Sequence, residues 1–471
     1  MNGWPGFRRT ALGLLLPCST ILAAQNNQNQ KLDRQYQSAV AQYDAGHFSD
    51  ASAELEKLLP YAPNSFEIHE LLGLSYAAEA QDAKATEHLK TAVQLKPDSG
   101  PARINLATSL VHAGKSELAL EQFRKALELE PQDYEANHDL GEFYIQSGKL
   151  SDARPLLERA QQIDPSSYDN GYDLAQADFL TQHLAEARQI VQRLVSQKNT
   201  GELHNLLGQI DEKDGKFIEA ANEFETAAHL DPSEENLFTW GSELLLHRTY
   251  DPAIEVFQQA TLRYPASPRL MIGLGMALDL RGRYDEAVTA LLKAADLDPS
   301  DARCYLFLSK AYDNSPNQAE DVIQRFRRYA ELQPRNGLAQ YYYAMSLWKG
   351  KRLEDSTVDL HAVESLLQNA IALDDKLPEA HVQLGNLFAD QREFDKSVSQ
   401  YLRALELDPN LPDAHYRLGQ DYVHLGQKDK AQQEFAVYQK LRAQHLAEVD
   451  KERAEVQQFV YSDKSASTNK P

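Results

Sequence analysis

Cysteine is nearly missing from this chain of 471 residues: Cys18 and Cys304 are the only two. Cys18 falls in a segment expected to be removed, so no internal disulfide is available and stability must rest on packing. Cys304 lies in the apolar run CYLFL and reads as filler at a helix interface rather than as a reactive thiol. Basic residues are also in short supply. The 48 Lys and Arg face 70 Asp and Glu, a net charge of −22. Such a surface repels phosphate backbones and anionic headgroups, so nucleic acid is not an expected partner. Beyond the N-terminus no apolar run is long enough to cross a membrane, and no direct membrane insertion is expected of the mature chain. Missing too are GxxxxGK[ST], GxSxG, HExxH and CxxC, the patterns that cradle phosphate, raise a nucleophile or hold a metal. The acidic residues are mixed with Lys and Arg and read as solvated faces. No catalytic, cofactor-binding or metal-binding residue is expected, and the chain reads as something other than an enzyme.

What is present begins with MNGWPGFRRTALGLLLPCSTILAAQ. Two arginines, an apolar run and small residues before a polar stretch predict a secretory signal peptide over 1–24, cut between Ala24 and Gln25. A lipoprotein cut before Cys18 fits less well, because Pro17 stands where a small residue is needed. Arg8 and Arg9 raise a twin-arginine route, for which the following TAL is a loose match, and a retained anchor is a further option. The expected location is therefore exported and periplasmic, with outer-membrane-associated or extracellular sites as alternatives. Residues 25–31, QNNQNQK, read as a polar leader.

The rest repeats. Pro63, Pro97, Pro131 and Pro165 are each 34 residues apart. Leu140, Gly141, Tyr144, Gly148, Ala153, Leu157, Ala160 and Pro165 recur in register as Leu274, Gly275, Gly282, Tyr284, Ala287, Leu291, Ala294 and Pro299. Leu384, Gly385, Phe388, Phe394, Tyr401, Ala404 and Pro409 form a third set. Each unit makes sense as two helices. Leu140, Gly141 and Tyr144 share a face of the first, and a glycine such as Gly148 or Gly282 allows the turn. Ala287, Leu291 and Ala294 form one stripe of the second, small residues permitting close approach and the large one filling the gap. Asp298 and Pro299 stop that helix, and Asp301 is placed to cap the next. One such pair cannot bury its apolar face alone, whereas a stack can.

These residues resemble the tetratricopeptide repeat. The resemblance implies an all-α fold, a right-handed superhelical α-solenoid of about twelve stacked helix-turn-helix units over 32–445. A capping helix over 446–461 and a disordered tail over 462–471 complete the reading. One unit, near 335–376, is longer than the rest. Its excess lies in KGKRLEDSTVDLHA, 349–362, and reads as a longer loop, with a protruding contact element as the alternative. Too few residues follow Phe435 for a catalytic domain. His69, His204, His381 and His415 all take the fourth position of their units, which points to packing rather than metal binding.

By resemblance, the first helix of each unit lines a concave wall, with its second, fifth, ninth and twelfth positions facing inward. The fifth positions include His138, Tyr172, Asn205, Phe238, Tyr341 and Tyr416. The ninth include Gln176, Gln209, Lys310, Met345 and Asn386, with Glu142 beside them. Aromatic side chains supply contact area and amides bond to peptide backbone, so protein or peptide partners are expected along this groove. Packing against the neighbouring unit is the competing role for each residue. The aromatic patch YYYAMSLW, 341–348, is the leading contact site. The Lys, Asn and Arg clamp by which some family members hold a chaperone tail is not found at the inward positions of adjacent units. The expected function is a non-enzymatic interaction scaffold of the bacterial cell envelope. The alternatives are an accessory subunit of an envelope glycosyltransferase, polysaccharide-export or secretion complex, and an enzyme with a site in the groove. Partner identity and oligomeric state stay open.

Overall fold

The computed structural model describes residues 23–315, 317–353 and 359–443. Among them are 24 helices and no strand. Two compact units divide the chain after Lys216. The first carries α1 (Ala23–Asp44), α2 (Phe48–Leu58), α3 (Phe66–Ala78), α4 (Asp82–Leu95), α5 (Gly100–His112), α6 (Ser116–Leu129), α7 (Tyr134–Gln146), α8 (Leu150–Ile163), α9 (Tyr168–Leu180), α10 (Leu184–Gln197) and α11 (Gly201–Lys213). The second carries α12 (Phe217–Leu230), α13 (Glu234–Leu246), α14 (Tyr250–Arg263), α15 (Pro268–Leu280), α16 (Tyr284–Leu297), α17 (Ala302–Asn314) and α18 (Ala319–Leu332). It continues with α19 (Gly337–Leu353), α20 (Leu360–Leu373), α21 (Pro378–Asp390), α22 (Phe394–Leu407), α23 (Pro412–His424) and α24 (Lys428–Ala443). Within each unit successive helices pack on one another, and odd-numbered helices also touch along one wall, as α5 and α7 or α21 and α23 do. The fold is an all-α helical-repeat solenoid.

The 34-residue step has local causes. The odd-numbered helices α3 to α17 begin on capping side chains: Ser65, Ser99, Asp133, Ser167, Thr200, Ser233, Ser267 and Asp301 each accept a hydrogen bond from the first turn, whereas α21 and α23 follow Leu377 and Leu411 with no side-chain cap. A capped start satisfies a backbone N–H that has no partner within the helix. The glycine of the Leu-Gly pair leaves room for the bulky residue sixteen positions on. A Cβ at Gly275 would stand 2.5 Å from Leu291 Cγ, and one at Gly385 2.7 Å from the Tyr401 ring. Ala287, Leu291 and Ala294 are all fully buried, so the stripe read from the sequence is the seam of the pair.

Polar latches tie several even-numbered helices to the next odd-numbered one. Arg154 Nε donates to Asp178 Oδ1 at 2.6 Å, Arg188 Nη2 to Asp211 Oδ1 at 2.6 Å, and Ser397 Oγ to Asp421 Oδ2. Thr86 and Ser109 share a hydrogen bond of 2.9 Å at the same place. Asp178 and Asp421 are buried, and that burial raises their pKa values although each has a partner.

Three expectations are modified. The turn glycines adopt positive φ at Gly46, Gly114, Gly148, Gly215, Gly282 and Gly426, but Ala80, Gln182, Arg248, Gln318 and Arg392 adopt it as well. The left-handed residue belongs to the turn, whichever side chain is there. The polar stretch 25–31 is not separate from the array but part of α1, which begins at Ala23 and so spans the expected cleavage point. The lengthened unit is only partly a loop: α19 runs 17 residues, to Leu353, where α17 has 13. Gly350 lets it continue close against α18, since a Cβ there would lie 2.7 Å from Ile323 Cδ1. Residues 1–22 of the expected signal peptide, the capping helix over 446–461 and the tail over 462–471 lie outside the described residues.

Candidate partner-binding site

The four histidines at the fourth position are committed to the scaffold. His69 donates from Nε2 to Pro63 O at 3.0 Å, and His415 bonds Pro409 O at 3.1 Å. Arg103, Asn137 and Tyr305 reach Pro97 O, Pro131 O and Pro299 O from the same position. One side chain thus caps the carbonyl that the proline stop leaves exposed. It also bridges to the second helix nineteen residues on, as in His69–His88, Arg103–Gln122, His381–Gln400 and His415–Glu434. Where the proline is replaced the bond changes. His204 turns to Asn199 Oδ1, and His381 Nε2, six residues after Asp375, is buried with no hydrogen bond. Among the described residues no group of three His, Cys, Asp or Glu is placed to hold a metal ion.

The second unit holds a cavity of about 560 Å³ on the wall formed by α19, α21 and α23. Met345, Trp348 and Val382 form its apolar side. Lys349 and Arg417 bring positive charge, and Asp390 and Asp413 bring negative charge. Gln383 and Asn386 lie in the middle, on α21. This volume is within the usual range for ligand sites, and the mixture of apolar wall and few polar groups is typical of them. Lys349 Nζ sits 4.3 Å from the centre of the Tyr312 ring, buried without a hydrogen bond, and burial lowers its pKa.

The amides are ordered by the core. Tyr401 is fully buried, fitted against Gly385, and its hydroxyl donates to Asn386 Oδ1 at 2.6 Å. Burial raises the Tyr401 pKa, which keeps the phenol protonated as a donor. Asn386 Nδ2 in turn donates to Gln383 Oε1 at 3.0 Å. The relay uses Gln383 Oε1 as an acceptor and leaves its NH2 group as a donor.

The first unit has a different wall. Glu142 on α7 and Asp173 on α9 are driven up to about 7, chiefly by burial, with repulsion from Asp169 adding to both and from Glu142 to Asp173. Glu142 Oε2 is buried without a hydrogen-bond partner. Five expected groove residues gather nearby or on the adjoining helices. His138 is buried, stacked on Tyr134 at 5.4 Å, with Nδ1 3.3 Å from Asn170 Oδ1. Tyr172 and Gln176 are half-buried on α9. Asn205 accepts a hydrogen bond from Gln209 on α11.

Of the residues expected on the groove, the cavity contains Met345 and Asn386. Tyr341 is half-buried one turn before Met345 and does not line it. Its neighbours in the aromatic patch turn back onto α18: Tyr342 lies 5.7 Å from Phe326, and the Tyr343 hydroxyl accepts from Arg327. Tyr416 is exposed and touches Phe435 and Tyr438, and Lys310 is half-buried on α17. Phe238 has no exposed surface: it packs 6.3 Å from Phe257 under Arg269, and so builds the core. Sequence reasoning did not single out Lys349, Gln383 and Arg417, which stand one position beyond the twelfth, fifth and fifth. The inward stripe here is wider than four positions.

A wall of parallel first helices over a ladder of capped, latched pairs defines an α-helical repeat scaffold. Tetratricopeptide repeat models match at residues 36–100, 104–168 and 238–302, at 145–210 and at 385–426. The chain belongs to the tetratricopeptide repeat family. It matches no curated protein in sequence. Similar solved structures include PilW, described as a widely conserved type IV pilus biogenesis factor, at 21% identity and a TM-score of 0.40, covering 44% of this chain and 96% of that one. PilF of Pseudomonas aeruginosa is 19% identical with a TM-score of 0.37, over 43% of this chain and 93% of its own. A tetratricopeptide repeat protein of Parabacteroides merdae is 18% identical with a TM-score of 0.39, over 49% and 92%.

Proposed function

We propose that this protein is a non-enzymatic interaction scaffold of the cell envelope that holds a partner protein on the inner wall of its second unit. The observation that supports this reading is the cavity of about 560 Å³ across α19, α21 and α23. Three successive repeats contribute to it, so it exists only in the stacked array and is shaped for an extended ligand. Its charged groups are two of each sign, which favours a neutral chain over a polyanion. The envelope location is supported by the N-terminal leader motif, and a mature chain starting at Gln25 in N-terminal sequencing of the native protein is the expected result. The accessory-subunit reading differs in its partner: membrane pull-down would return one stable enzymatic chain rather than several weak binders.

The test is cross-linking with mass spectrometry in the native cell, comparing wild type with Met345→Asp and Arg417→Glu. Both positions line the cavity and neither is in a fully buried seam. Loss of a partner's cross-links in both variants is expected. Cross-links unchanged in both would remove the cavity from the partner site.

A further inference from the structure

His138 on α7 reaches α9 through one ring nitrogen with two acceptors in view. Asn170 Nδ2 donates to Leu157 O at 3.0 Å and to Gln161 Oε1 at 3.1 Å, both on α8. A carbonyl only accepts, so these bonds fix which way the Asn170 amide faces. Its Oδ1 is therefore an acceptor, and His138 Nδ1, 3.3 Å away, carries a proton. The same Nδ1 stands 4.0 Å from Oδ2 of Asp173, three residues further along α9. Among the described residues no hydrogen bond holds the Asp173 carboxyl, whose side chain is 23% exposed. Glu142, one turn beyond His138, acts on Asp173 through its charge, as does Asp169 on α9 itself. Glu142 Oε2 is buried with no hydrogen bond. The other elements around α9 bring their charges to other residues. Arg154 of α8 bonds Asp178, Arg193 of α10 lies beside Gly171, and Glu202 of α11 acts on Tyr172. The N–H beside Asp173 is thus spent on a neutral amide.

Burial, with repulsion from Glu142 and Asp169, keeps the Asp173 carboxyl protonated up to about 7. A neutral carboxyl is a poor rival to the Asn170 oxygen, whereas a carboxylate accepts roughly twice as strongly. We propose that His138 is a proton-controlled switch on the wall of the first unit: loss of the Asp173 proton moves the Nδ1–H bond from Asn170 to Asp173. The Asp173 proton leaves to solvent and the imidazole keeps its own, so one hydrogen bond breaks and another forms. The ring, stacked on Tyr134 at 5.4 Å, has to turn to make the exchange. Asn170 keeps its hold on α8 and loses its tie to α7. The wall between α7 and α9 therefore has two hydrogen-bond patterns, and a partner resting on it meets a different one on each side of neutrality.

The experiment follows the ring 15N and 1H resonances of histidine-labelled full chain through neutral pH, with His138→Gln identifying the His138 signals. The Nδ1–H proton is expected to move downfield in one step centred near pH 7, as an amide acceptor gives way to a carboxylate. Asp173→Asn keeps the size of the side chain and cannot ionise, so the step should vanish. Glu142→Gln removes a neighbouring charge, and the midpoint should fall by about one pH unit. Should Asp173→Asn fail to fold, the carboxyl 13C signal of Asp173 in wild type takes its place and must titrate with the same midpoint. A purely structural role for Asp173 would lower the melting temperature of the variant and leave the step where it was. A step that survives in Asp173→Asn, or no step at all, would overturn the inference. So would a step carried chiefly by Nε2, because the ring itself would then be taking up the proton.

Discussion

A glycine and a leucine sixteen residues apart explain much of the packing inside one repeat. Gly275 has no Cβ because Leu291 occupies that space. Gly275→Ala is expected to cost about 2 kcal/mol, the usual cost of overpacking a tight seam, measured by chemical denaturation. The turns carry the opposite opportunity. Arg392 and Ala80 hold φ of 62° and 57°, a region that costs an L-residue about 1 kcal/mol relative to glycine. Arg392→Gly should therefore stabilise the second unit by about 1 kcal/mol, even though it removes a side chain. A lower midpoint would show that the arginine makes a contact worth more than the strain.

The His69–His88 pair is expected to make stability depend on pH. His69 spends its N–H on Pro63 O, so its Nδ1 must accept from His88 Nδ1 at 3.1 Å. A proton on both rings would set two donors face to face. Burial and the His69 charge lower the His88 pKa below the ordinary 6.5, whereas Glu87 and Glu56 oppose that and Lys84 adds to it. A histidine with a lowered native pKa binds protons more readily when unfolded. Stability is thus fully present above about 6.5 and falls as pH drops toward the lowered value. Melting temperatures of wild type should decline over that window, and His88→Gln should remove that part of the decline. Identical slopes in the two proteins would contradict the pairing.

At the scale of the helix, successive repeats are joined by apolar packing together with polar latches. The seam is mostly alanine and leucine, with one polar latch at a recurring place. Arg154 holds Asp178, whose side chain is 2% exposed. Arg154→Ala leaves that carboxylate buried and unpaired, with an expected loss of about 3 kcal/mol. Adding Asp178→Asn to the same chain should return part of the loss, because the orphaned charge goes. A double variant no more stable than the single one would mean that packing of the arginine stem, rather than its charge, carries the effect. The walls of α7 and α9 work differently. Glu142 and Asp173, both raised to about 7, bind protons more tightly in the native state than unfolded. Their contribution weakens the fold as pH climbs from about 4.5 through 7. Glu142→Gln should raise the melting temperature more at pH 8 than at pH 5, opposite in sense to the histidine effect and separable from it by these substitutions.

Over the whole molecule, stability is a sum of neighbouring contacts rather than one shared core. The largest apolar cluster runs from Ala228 to Ala339, through α13 to α18. At the far end of the described residues, Ala431 is the one buried residue among the described side chains of α24. Hydrogen exchange should accordingly find α24 least protected and α15 and α16 most protected, and equilibrium unfolding should depart from a single two-state step. Uniform protection along the chain would indicate cooperativity that nearest-neighbour contacts do not supply.

Much of this was legible from spacing alone. The proline stops, the Leu-Gly pair, the small-large-small stripe and the capping residues such as Asp301 each act within a few positions of themselves, so a linear pattern records them. The family and the helical-repeat fold follow from those local rules. The site was legible only in part. Met345 and Asn386 were placed on the inner wall by register, but Phe238, in the same register, is buried core. Whether an inward position faces a cavity or a neighbour depends on the size of side chains one and two repeats away, which no single repeat encodes. The tie from Tyr401 through Asn386 to Gln383 crosses two helices. Local chemistry in the sequence determined the ladder of helices; the angle and depth at which they stack decided where a pocket opens and which polar atoms it offers.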